Sequence, residues 1–498
     1  MTLIAMPEWL PDQPAHQNPG LVTCRNVIPR TRSSYGPFSA LSVYSDPLAA
    51  RCQGAFAARD NAGNISIFAG DSASLKRLNA ASPTFSDVSR STGGAYATSA
   101  DGVWQFIQYG LNVIATNFAD DVQSYVIGTS TNFAPLSSGA PRARYLSIWR
   151  DFVVLGHLHD QPQRIRWSAI DDPTGFPVIG TSQAAQVQSD QQDLVGEGGW
   201  IQGIVGGLGS ADGVVIQERA LWRVTYVGPP LIFTFDLVEG ARGTPAPGSI
   251  VQLGGVVAYL GEDGFYLFDG NSSRPIGNEK IDKTFFADFD QTYSARVSSA
   301  VDPINKIFYW AYPGSGNLGG VPNRILAYNW ALDRWSMIEI GGIEFIFRAA
   351  SFGYNADNAD GLGYTVDTSP FGPDSRFWAG GKSILSGFDL NHRLGFFSGA
   401  SLKATIETGD LDLTEGRRAF VSGIRPVADS GTILSSVGYR DSQAAAVAYT
   451  PASVPAADGF CPQRVSTRYP RARIEIPAGT SWSHLSAFEA RIKPEGTR

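Results

Sequence analysis

The sequence predicts a nearly all-β chain built on a β-propeller, and three observations carry that expectation. Gly (55) and Pro (30) are abundant and spread evenly among 498 residues, of which 43% are apolar and 11% aromatic. Such a composition suits many short elements joined by turns and fits neither disorder nor a collagen-like repeat. Short β-rich runs alternate with Gly- or Asp-containing turns across 51–395, while amphipathic helical periodicity is nearly absent, which excludes a parallel α/β sheet.

The length is several times that of an ordinary domain, so more than one unit is expected. Residues 1–50 contain Pro7, Pro11, Pro14, Pro19, Pro29, Pro37 and Pro47 and few strand-like runs. They are expected to form an extended arm lying along another surface and unable to fold alone.

Within 51–395, hairpins are expected where 55–59 turns through Asp60 to Gly63 into 64–69, and where 104–110 leads into 113–116. The pairs 151–156 with 164–168 and 213–216 with 221–227 repeat the design. Residues 256–260 and 265–270 flank Asp263-Gly264, whose Gly can supply the positive φ of a tight turn. Residues 295–301 and 306–311 flank Asp302-Pro303, with Pro suited to the second position of a type I turn. The runs 324–329 and 334–337, then 376–380 and 383–388, complete the series. At about 40 to 50 residues per four-stranded blade the zone holds six to eight blades. Turn-rich stretches near 172–199 and 312–323 favour the lower figure, six. One short packing helix is expected over 279–289, where Ile281, Phe285, Phe286 and Phe289 recur at helical spacing. Alternating runs at 402–408, 419–425, 433–439 and 472–476 suggest a separate sandwich-like β domain over 396–498.

Apolar runs stay strand-sized, so no helical segment spans a bilayer. The N-terminus lacks a basic n-region and a long apolar stretch, and secretion is not expected. Cys24, Cys52 and Cys461 are odd in number and far apart, which fits packed thiols in a reducing cytoplasm better than a disulfide framework or a zinc site. Net charge is −7 with 17% charged residues, giving no basic footprint for nucleic acid.

Sites of chemistry are scarce. His157 and His159, with Asp160, can share a face of a strand and a metal, but no further His or Cys is near in sequence. Asp120-Asp121, Asp171-Asp172 and Glu262-Asp263 are adjacent pairs better explained by turns than by a glycosidase. Residues 99–104 approach a sialidase Asp box with the wrong spacing, and the Gly-rich 203–209, followed by 210–213, reads as a flexible blade connection rather than a phosphate cradle. Trp104, Trp149, Trp167, Trp222, Trp310 and Trp335 lie in or beside expected strands and read as packing between wedges rather than as a sugar platform. No catalytic, cofactor-binding or metal residue is therefore assigned, and neither enzymatic activity nor a cofactor is expected.

The opening run Pro7 to Gln13, then Asn26 to Pro29, Tyr35 to Phe38 and Phe68 to Gly70, resembles the large structural tail proteins of short-tailed bacteriophages. The likeness continues through 104–117, 145–156, Trp167-Ser168, 265–270 and 300–303, and ends with 416–420, Arg468-Tyr469 and 477–482. It implies a tail hub or nozzle protein: a propeller on a β-rich platform, in a homohexameric ring below the head-to-tail adaptor. Tail fibres or spikes attach at its side, and duplex DNA passes through the lumen without specific binding. It implies a virion protein assembled in the host cytoplasm, with no membrane insertion by this chain. On this reading Arg464, Arg468, Arg471 and Arg473 form a subunit or partner interface, leaving a weakly repulsive lumen. The alternatives are a propeller that binds or cleaves host-surface glycan and a kelch-like bacterial scaffold.

Overall fold

The computed structural model describes residues 1–498 except 1, 17, 80–82, 210, 353–368, 370–377, 379–380, 412–416 and 496–498. The fold is all-β, with helical segments confined to short connections. Among the described residues six sheets have four strands, one has six and one has nine.

Five of the four-stranded sheets are simple antiparallel meanders spanning 54–87, 105–135, 143–193, 201–239 and 251–275. The turn chemistry of the sequence explains them. The Asp60 carboxylate accepts from the backbone of Ala62 and Asn64 and closes the first hairpin, and Asp302 does the same for Ile304 and Asn305. A sixth meander, 298–339, has the same strand order but forms one end of the nine-stranded sheet. In the seventh unit, strands Phe345–Ala350, Ser383–Phe388 and Arg393–Ser401 are completed by Ser39–Pro47 from the far end of the chain. Among the described residues the four-strand unit thus occurs seven times, and the stretch 172–199 supplies strand Gln191–Asp193 to the third rather than a bare loop. The expected run 376–380 falls mostly outside the described residues.

The first fifty residues are not an arm. Strand Leu21–Arg25 pairs antiparallel with Ala404–Thr408 and parallel with Arg334–Glu339, and so joins the sixth meander to the C-terminal strands in one nine-stranded sheet. Trp9, Leu21, Cys24, Val27 and Tyr35 are buried in the largest core cluster. The buried Arg334 reaches back to the Thr31 carbonyl and to the Tyr35 hydroxyl. Prolines did not prevent this, because short strands at sheet margins tolerate a missing donor. The expected boundary at 396 likewise falls inside a strand that pairs with Ser39–Pro47.

C-terminal residues build two facing sheets. Strands Val27–Thr31, Ser34–Pro37, Leu485–Pro494, Ala419–Ala428 and Cys461–Thr467 form one, with Thr2–Ala5 added to Leu485–Pro494. The far end of the nine-stranded sheet forms the other, and Val421, Ile424 and Phe488 meet Ile406, Val437 and Ile474 in a shared core. That core continues without a break into Phe265, Phe285, Trp310 and Trp335. The helix expected over 279–289 is present as Asp282–Asp288, with Ile281 and Phe285 buried as its spacing predicts. All three cysteines are buried and free.

Candidate functional site: the cavity between the sheets

The first strand of each of the seven units lines one cavity of about 840 Å³, through residues such as Phe56, Gln105, Arg144, Gln202, Gln252, Ser299 and Phe345. These strands lie side by side around it, and Phe345–Ala350 meets Gly54–Arg59 to close the series. Neighbouring first strands are stitched by side chains rather than by ladder bonds. Gln105 Oε1 accepts from the Leu146 amide at 3.1 Å, and Gln108 takes the Arg59 amide at 3.0 Å. Gln252 donates to the Gly206 carbonyl, Ser299 to the Ile250 carbonyl at 3.1 Å, and the Ile346 amide donates to Ser298 Oγ at 3.1 Å. Buried backbone groups facing the cavity thereby find partners.

The Gly-rich run 203–209 belongs to this wall. It forms strand Ile201–Leu208 and is not a loose connection. A Cβ at Gly206 would stand 2.0 Å from the Ile148 carbonyl oxygen, so glycine here permits close approach of two strands. Of the six tryptophans expected to pack between wedges, Trp104, Trp149, Trp310 and Trp335 bond an adjoining segment, whereas Trp167 and Trp222 donate to Gln188 and Gln217 of their own units. Trp104 donates to the Asp71 carbonyl at 2.8 Å and fills the space over Gly54 and Gly70. Trp149 reaches the Val205 carbonyl at 3.0 Å and lies against Gly213. Trp310 donates to Ser249 and Trp335 to Ile276, at 2.8 and 2.9 Å. Each of these four indole NH groups thus satisfies a carbonyl of an adjoining segment while its ring fills the wedge.

At the mouth marked by the starts of these strands, a row of rings comes together. Phe118 lies 5.3 Å from His157 and 5.5 Å from His159, and His157 lies 5.9 Å from Trp200. The Arg144 guanidinium sits over Phe118 at 4.5 Å. Phe118 and His157 both have positive φ, 69° and 55°, a conformation costly for bulky side chains. His157 is buried, and its Nδ1 donates to the Ile201 carbonyl at 2.7 Å. Burial lowers its pKa to about 4, with the nearby Arg144 charge acting in the same direction, so the ring is neutral. His157 and His159 therefore do not present themselves side by side on a strand face: one is buried and the other exposed. Among the described residues no group of three His, Cys, Asp or Glu side chains is placed to hold a metal ion.

The carboxylate pairs sit in turns and ion pairs. Asp120 binds Arg90 at 2.9 Å, Asp121 faces Arg142, the Asp172 carboxylate accepts from the Thr174 amide, and Asp263 accepts from the Tyr266 hydroxyl. Ser210 lies outside the described residues. Of the C-terminal arginines, Arg464 and Arg468 are exposed but Arg471 is buried. Arg471 Nε binds Asp410 at 2.6 Å and its Nη1 approaches Glu407 at 3.4 Å, while Arg440 binds the same Asp410. Arg473 covers the ring of Tyr449, whose hydroxyl donates to Glu407. The expected interface patch is thus divided, because Arg471 finds its counter-ions inside the core and is held there by them.

No protein-family model matches the chain, and no curated protein matches it. Solved structures similar to it include the computationally designed Ika8 protein, with 11% identity, 73% of this chain and 100% of that chain covered, and a TM-score of 0.37. The extracellular domain of a hybrid two-component system from B. thetaiotaomicron shares 10% identity over 77% of this chain and 41% of its own, with a TM-score of 0.40. PorZ, a surface component of the type-IX secretion system of Porphyromonas gingivalis, shares 8% identity over 74% of this chain and 45% of its own, with a TM-score of 0.36.

Proposed function

We propose that the chain is a structural virion protein of a short-tailed bacteriophage, a tail hub or nozzle subunit with no catalytic role. The seven four-strand units read as seven propeller blades, one more than the composition and spacing suggested, with strand Ser39–Pro47 closing the ring as the outer strand of the last blade. The two facing C-terminal sheets read as the platform. The observation that carries the proposal is the nine-stranded sheet running from the sixth blade through Leu21–Arg25 into the platform. A shared sheet and a shared core leave no linker between the two parts, as a subunit needs if it is to hold a fixed place in a ring. The order of sequence resemblances along the chain supports the same reading.

Negative-stain imaging and light scattering of the purified protein, alone and mixed with head-to-tail connector rings, test it. A six-fold ring of about six times the 53.4 kDa chain mass, or stoichiometric capture by the connector, is expected. A chain that stays monomeric and ignores the connector would sink the proposal. Negligible duplex DNA binding at moderate salt is expected as well, and tight binding with a steep salt dependence would contradict the sliding lumen.

A further inference from the structure

We propose that the mouth of the central cavity binds a saccharide that carries a carboxylate, with Arg144 holding the acid group and the adjoining rings holding the sugar face. Three observations meet there. Among the described residues no carboxylate lies within ion-pair distance of the exposed Arg144. Glu218 accepts from Gln202 Nε2 at 3.1 Å. The other charged side chain of the wall, Asp101, is already neutralised by Arg296 at 2.9 Å. Of the two charged side chains lining the cavity, Arg144 is the one without an ion-pair partner among the described residues, and its planar fork suits a carboxylate.

Beside that charge stands the row Trp200, His157, Phe118 and His159, with Trp200 55% exposed just outside the cavity. Neutral His157 adds no second charge. Exposed Trp200 and half-buried Phe118 offer apolar faces for sugar C–H groups, while buried His157 packs between them. On the cavity wall the Gln105 amide NH2, whose oxygen is taken by Leu146, and the Ser294 hydroxyl supply groups for sugar hydroxyls. The Tyr145 hydroxyl is buried beside Arg144. A bare inorganic anion would use the guanidinium and leave the rings idle, whereas a neutral sugar would leave the guanidinium unpaired. The volume, about 840 Å³, lies within the range of small-molecule sites. This inference stands on the cavity alone and does not depend on the tail-hub proposal.

The test is titration of the full chain with sodium D-glucuronate, D-glucose and inorganic phosphate at low salt, read by calorimetry and by tryptophan fluorescence. Glucuronate is expected to bind at least about tenfold tighter than glucose or phosphate, one charge-assisted pair being worth that much or more. Arg144→Met should cost glucuronate about tenfold and leave glucose unchanged, and Trp200→Ala should weaken glucuronate and diminish the fluorescence response. Both side chains are exposed, so melting curves should stay those of the unaltered chain. Undetectable glucuronate binding, equal binding of glucose or of phosphate, or full affinity in Arg144→Met would each overturn the proposal.

Discussion

Reversing the charge of Arg471 should unfold the C-terminal sheets rather than merely disturb an outer surface. The side chain is one member of a balanced set of two guanidiniums and two carboxylates, with Arg471, Arg440, Glu407 and Asp410 only 10, 11, 5 and 1% exposed. Its Nε lies 2.6 Å from Asp410, whose other oxygen holds Arg440. Arg471→Glu would leave three carboxylates around one guanidinium in a place water barely reaches. Breaking a buried pair costs about 3–5 kcal/mol because the remaining charge is left uncompensated. Like charges add to that, so at least the upper end is expected. Arg471→Met should cost about 3 kcal/mol, since Arg440 still serves Asp410. The exposed Arg468→Glu should stay within about 0.5 kcal/mol. Urea unfolding followed by far-UV circular dichroism and by tryptophan fluorescence measures all three. If Arg471→Glu unfolds within 1 kcal/mol of the unaltered chain, roughly the worth of a surface pair, the network is not a core element and the reasoning fails.

Three further outcomes are expected. Removing residues 1–45 should give an insoluble or unfolded product, because it deletes Leu21–Arg25 from the middle of the nine-stranded sheet and most of Ser39–Pro47; a soluble product with native circular dichroism would refute this. Gly213→Ala would place a Cβ 2.4 Å from the Trp149 ring and should lower stability by about 1–3 kcal/mol in thermal or urea melts, with unchanged stability as the contrary result. Asp282 is buried between Gly264 and Gly277, and burial raises its pKa to about 7. The folded state therefore holds this proton where the unfolded chain has lost it, and the contribution of Asp282 to stability is present at low pH and falls as pH rises from about 4 to 7. Asp282→Asn should flatten that slope and stabilise the protein at pH 8 by roughly 1–2 kcal/mol; an unaltered pH profile would show that the carboxyl is not desolvated.

Sequence patterns were legible where partners are neighbours. The hairpins 54–70 and 256–268 follow from alternation and turn residues lying within a few positions of each other. The short helix at Asp282–Asp288 follows from Ile281 and Phe285. What could not be read locally was set by distant chain. Leu21–Arg25 carries little strand signal of its own and is held by strands more than three hundred residues away. Strand Ile201–Leu208 hid behind its glycines, of which Gly206 answers to the Ile148 carbonyl and Gly203 to the Ile250 side chain of adjoining segments. Arg471 looked like surface because nothing in its vicinity announces Asp410 and Glu407. At the cavity mouth, His157 and His159 drew attention as a metal pair, while their role beside Phe118 and Arg144 depends on a hairpin forty residues earlier.

Strand Thr2–Ala5 pairs with Ala487 to Ala490, and Ser39–Pro47 with a strand ending at Ser401. For the ribosome this means that Thr2–Ala5 and Ser39–Pro47 are made long before the strands they pair with. At about 5–20 residues per second, roughly 25 to 100 s separate synthesis of the opening strand from that of its partner. Over that interval Trp9, Leu21 and Tyr35, destined for the largest core, have no finished surface to bury against. The chain behaves like a belt whose tongue is threaded only after the last hole is punched. A chaperone that shields residues 1–50, or faster translation, should raise the soluble fraction of native protein.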